Sequence, residues 1–461
     1  MVFSSLEFLF IFLPIFLILY FPCSRKKKNS LLFLFSLIFY TYGSIKEPIF
    51  ILLIVGSVII NYFLGLKIEK SYSKKYLIVG LIYNFGWLFL FKYYGFFSLQ
   101  MNQLLNNSLF PTFDFILPIG ISFYTFQTVS YLIDVYRKDT KAEKSFIKFG
   151  TYITMFPQLI AGPIITYKSI RRELDNRKAG IDNFYIGLKY FIMGLGYKVL
   201  LANRIGSLWN DIQGIGFESI STPLAFLGII AFSFQIYFDF YGYSLMALGL
   251  GKILGFTIPI NFDYPYLSRS MTEFWRRWHI TLGSWFRQYV YIPLGGNRHG
   301  LLKTLRNLLI VWLLTGLWHG ANWNFVIWGL VTCFFIMIEK LWLKKFLDNH
   351  KIFSRIYMIA LIPLTWTIFA VTDLKELGIL FTRLFPFVKG INVYSLDYVE
   401  YLKSYGWLLL VGLFFCTRTP DNFLKKIKNP ILEILVYLAI FWLSVYCLCR
   451  EANDPFLYFR F

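Results

Sequence analysis

Residues 48–66 read PIFILLIVGSVIINYFLGL, and four lysines, Lys67, Lys70, Lys74 and Lys75, follow this run closely. A run of about 20 apolar residues is long enough for one helix to cross the hydrocarbon core of a bilayer. Comparable runs recur along most of the 461 residues, of which 57% are hydrophobic, 21% aromatic and only 15% charged. The sequence therefore predicts an all-α, polytopic helical membrane protein, and it excludes a soluble enzyme, a disordered chain and a fibrous protein.

The formal net charge of +21 belongs to the same pattern, because the basic residues gather in short segments between the apolar runs. This distribution follows the positive-inside rule, so we interpret the charge as a sign of topology and expect membrane lipid around the chain and no nucleic-acid partner. The cluster 25–28 follows the first apolar run, which predicts a retained first helix with its N-terminus outside. The five cysteines lack CxxC or Cys/His ligand spacing, which argues against disulfides and metal sites.

The charges between the runs predict about ten to twelve membrane spans. The expected crossings are 3–21, 30–44, 48–66, 76–97, 115–136, 184–205, 222–250, 356–371, 404–416 and 431–449. The stretch 305–339 differs from these, because basic residues lie on both sides of it. A single crossing would place one of those basic sides outside, so we expect two short helices that meet at a break near 318–320.

Two segments on the expected cytoplasmic side do not have the composition of ordinary loops. The first, 146–165, contains FPQLIAGP, which is too short and too broken by Pro and Gly to span. The second, 265–297, has a capping box at 270–273 and then a stripe at the spacing of one helix. The stripe consists of Trp275, Trp278, His279, Leu282 and Phe286. Irregular backbone at membrane depth needs protein or a water-filled cavity beside it, so we expect re-entrant or interfacial elements around a central cavity.

The chain has only four histidines, and His319 lies within an otherwise apolar stretch. An ionisable side chain there is a functional candidate, although a structural histidine bonded to Asn322 or Asn324 is the alternative. His279 is flanked by arginines, and an interfacial hydrogen-bonding role is as consistent with this position as a functional one. Asp239 is a lone carboxylate in a predicted span, for which satisfaction by neighbouring hydroxyls and catalysis are both open. No GxSxG, HExxH or GxxxxGK[ST] motif supports a serine hydrolase, a zincin or a P-loop motor.

Five motifs in a fixed order carry a resemblance to a known family. They are Phe156-Pro-Gln-Leu-Ile-Ala-Gly-Pro163, Asn261-Phe-Asp-Tyr-Pro-Tyr266, Phe274-Trp-Arg-Arg-Trp-His-Ile-Thr281, Tyr289-Val-Tyr-Ile-Pro-Leu-Gly-Gly-Asn-Arg298 and Gly316-Leu-Trp-His-Gly-Ala-Asn-Trp323. Together they resemble the membrane-bound O-acyltransferase (MBOAT) family, in its bacterial alginate O-acetyltransferase branch, as does the ending 454–461. The core of the resemblance covers about 115–340 of one domain, 1–461, with peripheral spans at 1–114 and 350–461.

The resemblance implies an O-acyltransferase in the bacterial cell membrane, with His319 as the main catalytic residue and His279 as the second polar position. It implies that acetyl-CoA, a substrate and not a permanently bound cofactor, donates an acetyl group from the cytoplasm. An exported partner of the SGNH acetyltransferase type and an envelope polysaccharide as final acceptor are implied as well. Cytosolic arginines are candidates for binding the coenzyme A phosphates, although topology alone also places arginines there. These arginines are Arg276, Arg277, Arg287 and Arg298.

Two other functions are open at this point. One is the D-alanyl transfer protein of teichoic acid modification, which belongs to a sister branch that also carries the two histidines. We rank it second because 292–298 and 320–324 resemble the acetylase form more closely. The other is a non-enzymatic transporter or flippase, which would predict midplane charges and repeat symmetry, and neither pattern is evident.

Overall fold

The computed structural model of the protein describes residues 2–113, 115–160, 162–385, 393–450 and 457. These residues form helices and no β-strand, and eight of the helices are long and apolar enough to cross a membrane. The eight are Ile49–Ser71, Lys74–Leu105, Ile181–Ile215, Thr222–Leu254, Leu301–His319, Trp323–Asn349, Lys351–Ala370 and Pro430–Arg450. A ninth span results if the bent pair Asp397–Phe415 and Thr419–Lys425 is counted as one. The predicted polytopic helical membrane protein is thereby confirmed.

The number of long apolar helices in the described part of the chain is smaller than the ten to twelve expected spans. Three expected crossings form helices of 13 to 16 residues, namely Phe8–Tyr20, Lys28–Gly43 and Ile121–Tyr136. In Ile121–Tyr136 nearly every side chain is buried within the protein. A segment buried by protein on all sides is as apolar as one that faces lipid, so composition alone does not separate the two cases.

The chain divides into two compact units, each built from two separate stretches of sequence. The first unit comprises 1–191 and 243–259, and the second comprises 192–242 and 260–461. Both candidate histidines and all four candidate arginines lie in the second unit. The motif FPQLIAGP lies in the first unit, and of the resembling C-terminal ending 454–461 only Leu457 belongs to the described residues.

The core of the first unit forms around the predicted broken segment. Phe156 begins a buried helix of four residues, Phe156–Leu159, and its backbone amide donates to Ser36 Oγ over 3.1 Å. Its ring centroid lies 5.3–6.2 Å from those of Phe8, Phe12, Phe16 and Phe39. Gly120 has φ +72°, and a Cβ there would lie 2.3 Å from the Leu159 carbonyl oxygen, so this close approach requires glycine. The segment is therefore broken, as predicted, and packed within protein.

The second unit contains the predicted break in 305–339. Helices Leu301–His319 and Trp323–Asn349 pack side by side. They approach closely at Gly316, where a Cβ would lie 2.4 Å from the carbonyl oxygen of Phe325. The expectation of two helices that meet at a break is thus confirmed. The expectation that both are short was wrong, since they contain 19 and 27 residues and each is long enough to span. Each helix extends to include the basic residues on its side of this stretch, such as Lys303 and Lys340.

Candidate functional site

The stripe from Trp275 to Phe286 does not form the single helix that its spacing predicts. Helix Met271–Arg277 ends before Trp278, and a second helix, Ile280–Phe286, begins after His279. His279 has φ +45°, a left-handed conformation that a residue other than glycine adopts at a cost. All five stripe side chains nevertheless line one cavity. The helical spacing of the sequence is therefore kept across the break, and the spacing alone does not reveal that the helix is interrupted.

Asn261, the first residue of the motif NFDYPY, holds this break together. Its carbonyl oxygen accepts from the Ile280 amide over 3.0 Å. Its side-chain Oδ1 accepts from both the amide and the hydroxyl of Thr281, over 3.2 and 2.9 Å. The asparagine thereby satisfies amides at the start of the second short helix, where no carbonyl of that helix is available. The serine half of the predicted capping box is present too, since Ser270 Oγ accepts from the Glu273 amide over 3.0 Å, whereas Glu273 Oε2 accepts from the Arg269 amide over 2.9 Å.

His279 itself is buried, with a relative exposure of 2%. Its Nδ1 lies 3.2 Å from Asn261 Oδ1, and an amide oxygen only accepts, so we assign the hydrogen to Nδ1 and the lone pair to Nε2. Within the described part of the chain, Nε2 has no hydrogen-bond partner. Burial lowers the pKa of His279 to about 3, so the ring is neutral at physiological pH. The ring therefore presents an unused acceptor atom beside the cavity.

His319 is the last residue of helix Leu301–His319 and has a relative exposure of 7%. Its ring lies among aromatic rings, with centroid distances of 5.0 Å to Trp318, 5.1 Å to Trp328 and 5.1 Å to Phe369. Asn324, which we considered as its partner, donates instead to the carbonyl oxygens of Ile368 and Phe369 over 3.2 and 3.1 Å. Apolar rings thus form most of the surroundings of this histidine.

The two histidines line the same cavity, which has a volume of about 340 Å³. The Trp318 ring contacts both of them, since its centroid lies 5.9 Å from that of His279 and 5.0 Å from that of His319. Residues far apart in the sequence therefore meet at one cavity, and one tryptophan ring lies close to both of them. The other residues that line the cavity include Thr272, Trp275, Arg276, Trp278, Arg287, Tyr291, Trp312 and Thr315.

The four candidate arginines separate into two pairs. Arg276 and Arg287 line the cavity. Arg277 does not, because its guanidinium makes ion pairs with Glu273 over 2.9 Å and with Asp263 over 3.3 Å. Arg298 lies exposed in the loop before helix Leu301–His319, away from the cavity lining. The structure therefore places two of the four where a substrate in the cavity would meet them.

Comparison with known proteins assigns the chain to a family. The model of the membrane-bound O-acyltransferase family matches residues 81–375, which include both histidines and the whole cavity lining. The chain belongs to this family. It is accordingly an O-acyltransferase and a multi-pass membrane protein, in agreement with the resemblance of its motifs.

Relatives of this MBOAT protein differ in how much of it they match. A probable alginate O-acetylase, AlgI, of Pseudomonas putida is 35% identical over 100% of both chains. A peptidoglycan O-acetyltransferase of Helicobacter pylori is 35% identical over 95% of this chain and 86% of its own. A teichoic acid D-alanyltransferase of Streptococcus thermophilus is 30% identical over 49% of this chain and 58% of its own. The two O-acetyltransferases therefore resemble this MBOAT chain over a much larger part.

One buried polar pair of the MBOAT chain was missed in the sequence. Lys198 Nζ lies 2.8 Å from Asp239 Oδ1, and both side chains are 4% exposed. Lys198 Nζ also donates to Asn203 Oδ1 over 2.7 Å, and Asp239 Oδ2 accepts from the Leu457 amide over 2.7 Å. Each residue is a charge within an apolar stretch of a long helix, and two such charges of opposite sign are the signal that would have suggested the pair. Of the two open roles for Asp239, these contacts favour the structural one.

Proposed function

We propose that this O-acyltransferase takes an acetyl group from cytoplasmic acetyl-CoA and passes it across the bacterial cell membrane for O-acetylation of an envelope polysaccharide. The observation that carries the proposal is that His279, His319, Arg276 and Arg287 line the same cavity. Relatives named for alginate and peptidoglycan O-acetylation over nearly the whole chain support the acetyl group and the glycan acceptor. The proposal includes an N-terminus outside the cell and an exported SGNH-type partner that completes the transfer.

His319 acts as the general base in this proposal. It takes the proton of the acceptor hydroxyl while the hydroxyl oxygen attacks the thioester carbonyl carbon. The carbon–sulfur bond then breaks, and the coenzyme A thiolate takes the proton from the His319 imidazolium. One ester and one free thiol are formed, and His319 is neutral again. Aromatic rings around His319 exclude water, which protects the thioester from hydrolysis.

His279 has a different part, which follows from its tautomer. Its Nδ1–H is used by Asn261, so Nε2 accepts hydrogen bonds and does not donate one to a developing oxyanion. We assign to it the orientation of the acceptor hydroxyl. The indole N–H of Trp275 is a buried donor of the cavity wall with no partner in the described part of the chain. This makes Trp275 the candidate for the thioester oxygen.

Arg276 and Arg287 provide positive charge at the same cavity for the phosphates of coenzyme A. Arginine suits this role because its planar guanidinium makes paired hydrogen bonds to phosphate oxygens. Arg277 already has two carboxylate partners, and Arg298 is exposed, so neither is included in the donor site. The acyl end of the donor would then lie between the arginines and the histidines.

The experiment supplies labelled acetyl-CoA to inverted membrane vesicles that contain the protein, its exported partner and the isolated envelope polysaccharide. Alkali-labile acetate on the polymer is the expected product, and His319→Ala vesicles with equal protein should form almost none. His350→Ala is the matched control, since His350 is an exposed histidine away from the cavity. Label from a D-alanyl carrier protein in place of acetyl-CoA would support the D-alanyl alternative and contradict the proposal.

A further inference from the structure

Glu339 is a carboxylate that is 1% exposed and lies in the helix Trp323–Asn349. Four donors bind it, and two of them are backbone amides at the start of the short helix Met271–Arg277. The Met271 amide donates to Oε1 over 2.5 Å, and the Thr272 amide donates to Oε2 over 2.8 Å. The Thr272 hydroxyl and the Tyr357 hydroxyl donate as well, over 2.7 and 3.2 Å. In the described part of the chain no cation pairs with this carboxylate, so these donors alone stabilise its charge.

The short helix Met271–Arg277, whose first amides bind Glu339, forms part of the cavity wall. Thr272, Trp275 and Arg276 line the cavity from this helix, and His279 follows two residues after its end. A helix of seven residues has few hydrogen bonds of its own, because the first amides of any helix have no partner within it. A buried carboxylate at these amides combines charge-assisted hydrogen bonds with the favourable end of the helix dipole. Glu339 therefore determines where this helix begins relative to the helix Trp323–Asn349.

We infer that Glu339 is a positioning residue for acyl transfer: through the helix Met271–Arg277 it holds Trp275, Arg276 and His279 in place at the cavity. The inference rests on the proposed function, because it assigns the residue to that same site. Catalytic groups must be held within about 0.5 Å of their productive geometry, and a misplacement of about 1 Å can lower a rate about 100-fold. Glu339 itself does not line the cavity.

The test variant is Glu339→Gln, which keeps the shape but turns an NH2 group toward an amide that needs an acceptor. We expect kcat to fall about 10-fold to 100-fold, and the KM for acetyl-CoA to rise several-fold, because Arg276 moves with the helix. Tyr357→Phe is the matched control, since it removes one donor from Glu339 and leaves both helix amides bonded. Its kinetic constants should stay close to those of the wild type.

The two kinetic constants separate positioning from simple loss of folded protein. A partly unfolded variant has fewer active molecules, so kcat per total protein falls while KM is unchanged. An unchanged KM in Glu339→Gln would therefore overturn the inference, and so would wild-type values of both constants.

Hydrogen–deuterium exchange in detergent tests the contact without relying on activity. The amides of 271–277 should exchange faster in Glu339→Gln than in the wild type, whereas those of the helix Leu301–His319 should not change. Equal exchange in 271–277 would overturn the inference. Faster exchange there, together with a wild-type protein that transfers no acetyl group from acetyl-CoA, would support the contact and overturn the proposed function.

Discussion

The second unit contains two buried polar sites that differ in how far their groups are satisfied. At the cavity, His279 Nε2 and the Trp275 indole N–H have no hydrogen-bond partner in the described part of the chain. At the ion pair, Lys198 and Asp239 bind each other, and Asn203 and the Leu457 amide provide further hydrogen bonds. Both sites are deeply buried, so burial does not distinguish them.

The difference is informative because an unsatisfied buried polar group costs about 1–3 kcal/mol. A folded protein retains an unsatisfied buried polar group where its function requires that group, and the usual function is binding of a substrate. In the buried ion pair each charge has a partner of opposite charge, and loss of one partner leaves an uncompensated charge. We therefore expect changes at the cavity to remove activity and changes at the ion pair to remove stability.

The largest effect is expected for His319→Ala. Loss of a general base lowers a rate about 10²-fold to 10⁴-fold, so polymer-bound acetate should nearly disappear while the protein accumulates normally in the membrane. His279→Ala should lower the acetate by a comparable or smaller factor. The measurement is acetate released by mild alkali, normalised to membrane protein. A wild-type amount of polymer-bound acetate in His319→Ala would show that this histidine is structural. The cavity and the ion pair would then not differ in their effect on activity.

The ion pair provides the opposite expectation. Lys198→Met and Asp239→Leu should each lower the free energy of unfolding by about 3–5 kcal/mol, because each leaves a buried charge alone. The double variant should recover most of this loss, since both charges are absent. Thermal unfolding in detergent measures the effect. Single variants of wild-type stability that have lost acetyl transfer would show that the pair belongs to the functional machinery.

A pH experiment sharpens the account of His279. Burial lowers its pKa to about 3, below its ordinary value of 6.5, so below pH 6.5 the unfolded chain binds a proton that the folded chain does not. Stability should therefore fall with falling pH, by about 2 kcal/mol at pH 5 from this residue. His279→Asn is the matched variant, because asparagine tolerates the left-handed conformation. The stability of His279→Asn should lack this part of the pH dependence. If the stability of this variant and that of the wild type change with pH in parallel, His279 is solvated.

The smallest effect is expected at the arginines. Arg276→Ala combined with Arg287→Ala should raise the KM for acetyl-CoA about 10-fold, as expected for lost hydrogen bonds to a charged group, and change kcat less. Arg298→Ala combined with Lys303→Ala removes two exposed charges of the same region and should leave KM unchanged. Equal KM values in the two double variants would mean that all these residues serve only to set the membrane topology.

Much of the fold followed from local properties of the sequence. Hydropathy predicted the long apolar helices, the Pro/Gly content of FPQLIAGP predicted the broken segment, and the Ser270 cap was predicted from its spacing. The candidate histidines were identified because an imidazole in an apolar run is unusual. The helices that are buried by protein, such as Ile121–Tyr136, were counted as spans because lipid and protein select the same residues.

The sequence by itself determined local features: an apolar helix, a basic segment beside it, a helix cap, and a histidine whose burial in an apolar stretch costs free energy. Only the tertiary structure decided that His279 is left-handed and that Arg277 is engaged by Asp263 and Glu273. It also joined Lys198 to Asp239 and Glu339 to the start of the helix Met271–Arg277. The physical reason is that hydrogen bonds and ion pairs depend on distances of about 3 Å between atoms. Between residues far apart in the chain, only the packing of the helices sets these distances.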